Sequence, residues 1–466
     1  MLKNKIYLEN ITIEDFAAEG KCIAKHEGAV VFIEGSAAPG DVVDIEIYNK
    51  KKRFFEGRIT KIHQYSDRRA EAFCQYFGTC GGCKWQHIKY EEQLKFKHQQ
   101  VYDHLHRIAK VNLPEFLPIV PSSKTVFYRN KLEYTFSNSR WFTKEEMDKG
   151  SELSKLALGF HIPKRFDKIL DIEECFLQPE PSNEIRNALR IFTLQHNLGY
   201  YDQKQNHGFL RNLIIRTTST NDLMVVVQFG FDEQENIKLV MDFVRDSFPK
   251  ITSLHYIINT KGNDSYYDQT PILYAGKPHI EERMEDLTFR IGPKSFYQTN
   301  SEQAYELYKI TRNFAQLTGN ELVYDLYTGT GTIANFIAKN VKKVVGVEYL
   351  ADAIEDAKIN SDINNIHNTV FYAGDMKNVL NDEFVATNGR PDVIITDPPR
   401  AGMDEPVVQK ILEIAPQRVV YVSCNSATQA RDLAWLDQKY EVEVVQPVDM
   451  FPHTHHVENV VGLRLR

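Results

Sequence analysis

Two side chains near the carboxyl end have the types and settings that nucleophilic and acid–base chemistry require. Cys424 follows the apolar run Val419-Val420-Tyr421-Val422-Ser423, which predicts a buried strand with the cysteine at its carboxyl edge. Ligand sites in open α/β sheets gather at that edge. Asn425 and Ser426 come next, and a helix starting there would lower the thiol pKa. An isolated cysteine would read as core packing; beside a ligand edge, Cys424 reads as a nucleophile. Glu458 ends Phe451-Pro452-His453-Thr454-His455-His456-Val457-Glu458. With few other charges nearby, its carboxyl is expected to titrate high and act as a base. Those histidines and the acid could also be zinc ligands. They lack helical i, i+4 spacing, however, and a strand would alternate their faces.

A second constellation points to a nucleotide cofactor. Leu322-Val323-Tyr324-Asp325-Leu326-Tyr327-Thr328-Gly329-Thr330-Gly331-Thr332 reads as a strand, an acid and a glycine turn before a helix. Glycines there let the backbone approach a ligand. With Ala334 they even fit the dinucleotide pattern G-x-G-x-x-A. Glu348 stands 19 residues after Gly329, at the end of the next strand, where a carboxylate accepts hydrogen bonds from ribose hydroxyls. Asp375, in Gly374-Asp375 after a third apolar strand, is placed to reach an adenine. These features leave NAD and S-adenosylmethionine both open. Asp397-Pro398-Pro399-Arg400, after Val393-Ile394-Ile395-Thr396, favours the second, because a rigid acid-Pro-Pro turn at a strand end is typical of methyltransferases acting on nucleobases or amides.

A third group is metal-like. Cys74, Cys80 and Cys83 have spacing C-x5-C-x2-C, and Gly81-Gly82 permits tight wrapping. Cys175 is the obvious fourth ligand. Four thiolates suit a [4Fe–4S] cluster or a structural zinc, and spacing alone does not choose. Cys22 is left over and reads as core packing.

From Gly329 to Glu458 the sequence resembles the RNA uridine-C5-methyltransferase family, through its Asp-Pro-Pro-Arg, Ser-Cys-Asn and His-Val-Glu elements in the family's order. Phe296-Tyr297-Gln298-Thr299-Asn300 matches the family's Phe-x-Gln-x-Asn element. Together with Trp85-Gln86-His87 after the third cysteine, the resemblance spans nearly the whole chain and is closest to the iron–sulfur 23S ribosomal RNA branch. It implies Cys424 as nucleophile and Glu458 as proton acceptor. It implies contacts to S-adenosylmethionine from Gln298, Tyr327, Glu348 and Asp397, with Asp397 alternatively facing the uracil. It also implies a [4Fe–4S] cluster on Cys74, Cys80, Cys83 and Cys175, with a structural role. Other readings are the same chemistry on a transfer RNA uridine, a nonenzymatic RNA-binding or assembly factor, and an NAD-dependent oxidoreductase. The last ignores Asp397 to Arg400 and Cys424.

The elements that must position these residues divide the chain. At roughly 150 residues per domain, 466 residues leave room for about three. Residues 1–62 read as short strands punctuated by turns, an oligonucleotide-binding β-barrel that loosely resembles the TRAM domain. Residues 63–288 form a mixed α+β region containing the cysteines and a helix over 89–109. Residues 289–466 alternate strand and helix, an α/β, Rossmann-like, mostly parallel sheet of the class I methyltransferase kind. The net charge is −7, yet residues 50–110 hold 14 Lys or Arg against 6 Asp or Glu. Such a basic segment is a candidate RNA footprint or else a solvated face. No signal peptide or membrane-length apolar run is visible, and six cysteines are too few for a disulfide scaffold. The expected setting is a cytoplasmic monomer acting on ribosomal RNA.

Overall fold

The computed structural model describes residues 6–17, 20–148 and 153–466. Its amino-terminal sheet has six strands, Ile6–Thr12, Val42–Lys50, Phe54–Gln64, Ala29–Glu34, Cys22–His26 and Asp15–Phe16 in spatial order. Alternation along these strands buries Val31, Ile33, Val43 and Ile45 in a core of their own. Cys22 belongs to that core, its thiol donating to the Ala37 carbonyl.

The central part holds an eight-stranded sheet. Its strands Leu210–Thr217 and Leu223–Phe229 are an antiparallel pair buried almost throughout. Leu213 to Ile215 and Leu223 to Val227 are apolar without alternation, and Arg211, Asn212, Arg216 and Gln228 are buried beside them. Helices Ser182–Gln195 and Gln234–Ser247 share their core through Ile185, Leu189, Ile237 and Val240.

The carboxyl-terminal sheet has seven strands, beginning at Thr369, Lys343, Leu322, Val393, Arg418, Glu458 and Tyr440 in spatial order. The first five are parallel. Glu458–Leu465 runs antiparallel to both of its neighbours. Strand order reverses between Leu322–Leu326 and Val393–Thr396, the crevice position where open α/β sheets take ligands. The expected helix over 89–109 is an α-helix, Tyr90–His104, continued by a π-turn to Ala109 and stopped at left-handed Lys110. Its Val101, Leu105 and Ala109 pack into the same core as the carboxyl-terminal sheet. This helix therefore ties the cysteine segment to the sheet edge. Among the described residues no helix is long and apolar enough to cross a membrane.

Candidate active site

Cys424 follows the strand Arg418–Ser423 directly, and Asn425 caps the helix Ser426–Leu436 by accepting the Ala427 N–H. The Asn425 amide also donates to the Arg400 carbonyl at 2.9 Å, and Thr428 donates to the same oxygen at 3.1 Å. The Asp-Pro-Pro-Arg turn is thereby fastened to the cysteine turn. The Arg400 guanidinium lies near enough to the Cys424 sulfur to favour its thiolate. Although a helix starts here, burial pushes the thiol up to about 11, the carboxylates of Glu458 and Asp397 push the same way, and only Arg400 opposes them. The expected lowering of this pKa is absent because desolvation and two neighbouring acids outweigh one helix end.

Glu458 opens the last strand, pairs with Val448, and is 5 % exposed. Burial raises its carboxyl to about 8, with Asp397 adding to the shift and Arg400 opposing it. Asp397, at the end of Val393–Thr396, rises to about 7 through burial and the proximity of Asp325. Asp325 rises likewise to about 7, chiefly by burial; Thr328 donates to its Oδ2, and its Oδ1 has no partner. Tyr308 lies among them: burial drives its hydroxyl far up, Asp397, Asp325 and Glu458 add to the rise, and Gln298 opposes it. Gln298, Asp397, Cys424 and Glu458, singled out in widely separated parts of the sequence, are thus brought within electrostatic reach of one set of neighbours.

The glycine turn lies beside that group. Tyr327, Gly329 and Gly331 have φ of +64°, +55° and +72°. A Cβ on Gly331 would stand 2.8 Å from the Ala357 methyl, whereas one on Gly329 would meet nothing within 4 Å. Gly331 therefore serves packing, and Gly329 leaves backbone open to a ligand. Glu348 accepts the N–H groups of Gly329 at 3.2 Å and Leu350 at 3.1 Å, which holds its carboxylate at the sheet edge. Asp375 caps a short helix through Lys377 N–H, and its charge reaches Tyr327 along with that of Glu348.

Of the histidines beside Glu458, burial drives His455 down to about 3 and His456 to about 4, and His453 Nδ1 meets the Gln93 amide. Among the described residues no group of three or more His, Cys, Asp or Glu is placed to hold a metal ion. Cys74, Cys80, Cys83 and Cys175 do line one cavity of about 360 Å³. All four are free thiols held up by burial, Cys80 to about 11 and Cys83 to about 12, with Cys74 and Cys175 adding to the rise of both.

Reading by motif missed Tyr308, whose helix sequence carries no signal and which only the fold shows facing the site. Asp325 and Arg400 were part of quoted motifs, but nothing local announces their influence on Asp397 and Cys424.

Comparison with known proteins agrees with this geometry. Residues 275–466 match the tRNA (uracil-5-)-methyltransferase family model and residues 9–60 match the TRAM domain. The chain is 57 % identical to an RNA methyltransferase of Bacteroides thetaiotaomicron, covering 97 % of this chain and 100 % of that one. It is 54 % identical to one from Porphyromonas gingivalis, over 97 % and 98 % of the two chains. A solved structure of Pyrococcus abyssi tRNA (uracil-54, C5)-methyltransferase with S-adenosyl-L-homocysteine superposes with a TM-score of 0.74 at 28 % identity, covering 98 % of this chain and 100 % of that one.

Proposed function

Because the chain belongs to the RNA uracil-C5 methyltransferase family, an S-adenosylmethionine-dependent group of enzymes, we propose that it converts one uridine of 23S ribosomal RNA to 5-methyluridine through a covalent Cys424 adduct. One observation carries this reading: the Cys424 thiol, the Glu458 and Asp397 carboxyls and the Arg400 guanidinium converge at the sheet edge. The open backbone at Gly329 and the Glu348 carboxylate beside it suit an adenosyl ligand. Gln298, Tyr327, Glu348, Asp375 and Asp397 are the residues that would hold S-adenosylmethionine, which supplies an electrophilic methyl group when bound.

Uracil C5 is a weak carbon nucleophile. Sulfur of Cys424 bonds to C6, and the C5=C6 electron pair moves toward the O4 enolate. Arg400 favours the thiolate this requires, opposing in part the burial and the two acids that raise the thiol. C5 then attacks the donated methyl. Glu458 removes the C5 proton, the C–H pair re-forms the double bond, and the C6–S bond breaks to return the thiolate. The target base must leave its stack to reach this pocket, at a few kcal/mol, which favours loops and junctions.

Cys74, Cys80, Cys83 and Cys175 would hold a [4Fe–4S] cluster. Their all-thiolate donor set around one cavity suits it. Among the described residues no group is placed to hold a single metal ion, so the reading rests on the shared cavity and on the all-sulfur donor chemistry. Such a cluster would act structurally. Residues 1–62 would close as a TRAM-like barrel on RNA, 63–288 would carry the cluster, and 289–466 would hold donor and base. Iron and sulfide assays on anaerobically purified protein test the cluster; colourless protein with one zinc overturns it. A transfer RNA uridine is the second reading, favoured by the named substrate of the Pyrococcus abyssi enzyme.

The deciding experiment maps 5-methyluridine in ribosomal and transfer RNA from cells with and without the protein. Loss at one 23S position supports the proposal, and loss only in transfer RNA moves the substrate. With labelled donor and RNA, Cys424→Ala should abolish turnover; near-normal turnover would end the covalent mechanism.

A further inference from the structure

Glu458 is delivered by the connection 449–457, between strands Tyr440–Val448 and Glu458–Leu465. The middle of that connection is held by one side chain of the helix Tyr90–His104. Gln93 is 0 % exposed. Its Oε1 accepts the His453 backbone N–H at 2.9 Å. Its Nε2 lies 3.0 Å from the Trp85 carbonyl, 2.9 Å from that of Ile88 and 3.2 Å from His453 Nδ1. The His453 carbonyl in turn accepts the backbone N–H groups of Lys84 at 2.8 Å and Trp85 at 3.0 Å. One amide therefore joins the segment after Cys83, the start of the helix and the histidine turn.

His453 has a φ of +64°, in the left-handed region that non-glycine residues use uncommonly, although His, like Asn and Asp, is among those enriched there. Such conformations persist where surroundings over-determine them, and they cluster at functional sites. The connection's first residue, Asp449, is fixed separately by Lys97 and Tyr90, and the Pro452 carbonyl by Tyr128. Among the described residues, Gln93 is the side chain that grips the main chain and the ring of His453 together, a few residues before the carboxyl that must meet substrate.

We infer that Gln93 is a positioning residue for proton abstraction at C5: by holding the left-handed His453 turn it sets where the Glu458 carboxylate stands. This rests on the base role proposed above. Gln93 touches neither RNA nor methyl donor in that role. Losing it leaves sulfur addition and methyl transfer intact and slows the last step, in which Glu458 takes the C5 proton and the C6–S bond breaks. The methylated Cys424–RNA adduct should then accumulate. Misplacement by about 1 Å can cost on the order of 100-fold in rate.

The test compares wild type, Gln93→Glu, Gln93→Leu and Glu458→Gln in the full-length protein, with labelled donor and target RNA. Product release and denaturation-resistant protein–RNA adduct are followed together. Gln93→Glu has nearly the same shape and keeps the acceptor for His453 N–H while losing the donors, so it guards against a Leu variant that does not fold. The expected result is release slowed about 100-fold with adduct forming at the wild-type rate, as for Glu458→Gln. Release within a few-fold of wild type overturns the positioning role. So does a parallel fall of release and adduct formation in Gln93→Glu, because a merely structural defect would lower both. If Glu458→Gln itself traps no adduct, the base assignment fails and the inference goes with it.

Discussion

Cys424 and Glu458 each make the other's charge harder to bear. Burial lifts the thiol to about 11 and the carboxyl to about 8, and Glu458 and Asp397 then add to the thiol's shift. Only Arg400 pulls both back. At neutral pH the resting thiol and the Glu458 carboxyl are therefore mostly protonated, and catalysis requires two charges that their surroundings resist. The consequence for stability has a definite sign. Between the ordinary carboxyl value of 4.5 and about 8, native Glu458 keeps a proton that the unfolded chain has lost. Stability contributed at this residue is thus lost as pH rises through that window. Glu458→Gln removes the titration. Above about pH 8 the variant should be more stable than wild type by on the order of a few kcal/mol, and below about pH 4 the difference should vanish. Urea unfolding at the two pH values measures it; parallel pH dependence of the two proteins would mean Glu458 is ionised throughout. Turnover by the wild type should rise with pH through about 8, since abstraction at C5 needs the carboxylate.

At the scale of elements, the helix Tyr90–His104 couples the cysteine segment to the catalytic connection, and its strongest single link is buried charge. Lys97 Nζ lies 2.5 Å from Asp449 Oδ1, both side chains fully enclosed, with Tyr90 OH donating to Oδ2. Removing one partner of such a pair leaves an uncompensated carboxylate. Lys97→Met should therefore destabilise by about 3–5 kcal/mol, and adding Asp449→Asn should recover part of the loss. Denaturant unfolding of the single and double variants decides; a single variant that loses under about 1 kcal/mol would mean Asp449 finds another partner or a proton. This link also marks the limit of what sequence patterns convey. Runs such as Val419 to Val422 and Val393 to Thr396 announce parallel strands because both faces are buried, and motifs at their ends fall on one sheet edge because strand ends are where they must fall. Lys97 and Gln93 carry no such signal. Their partners lie some 350 to 360 residues away, and in the helix sequence they look like solvated polar residues. Likewise the positive end of the helix after Cys424 is readable locally, while the carboxyls that outweigh it arrive from other strands.

For the whole molecule, charge decides how RNA is approached. A chain of net charge −7 repels a polyanion on average, and residues 50–110, with 14 basic against 6 acidic side chains, are where contacts are expected to concentrate, Lys97 excepted because it is enclosed. Lys51, Lys52 and Arg53 are exposed at the turn between strands Val42–Lys50 and Phe54–Gln64, where Lys50 lies over the Phe55 ring. No carboxylate is paired with these three among the described residues. Cations without internal partners are free to displace counterions from phosphates, and each phosphate neutralised on a single strand contributes about −0.7 to the slope of log affinity against log salt. Replacing Lys51, Lys52 and Arg53 together by alanine should therefore flatten that slope by about 2 while leaving methyl transfer on saturating RNA unchanged. Filter binding across a salt series, with Cys424→Ala as a variant whose slope should match wild type, reads the effect directly. An unaltered slope in the triple variant would place the RNA path elsewhere on the basic segment, along the helix from Lys95 to Lys110, and would separate the amino-terminal sheet from substrate binding.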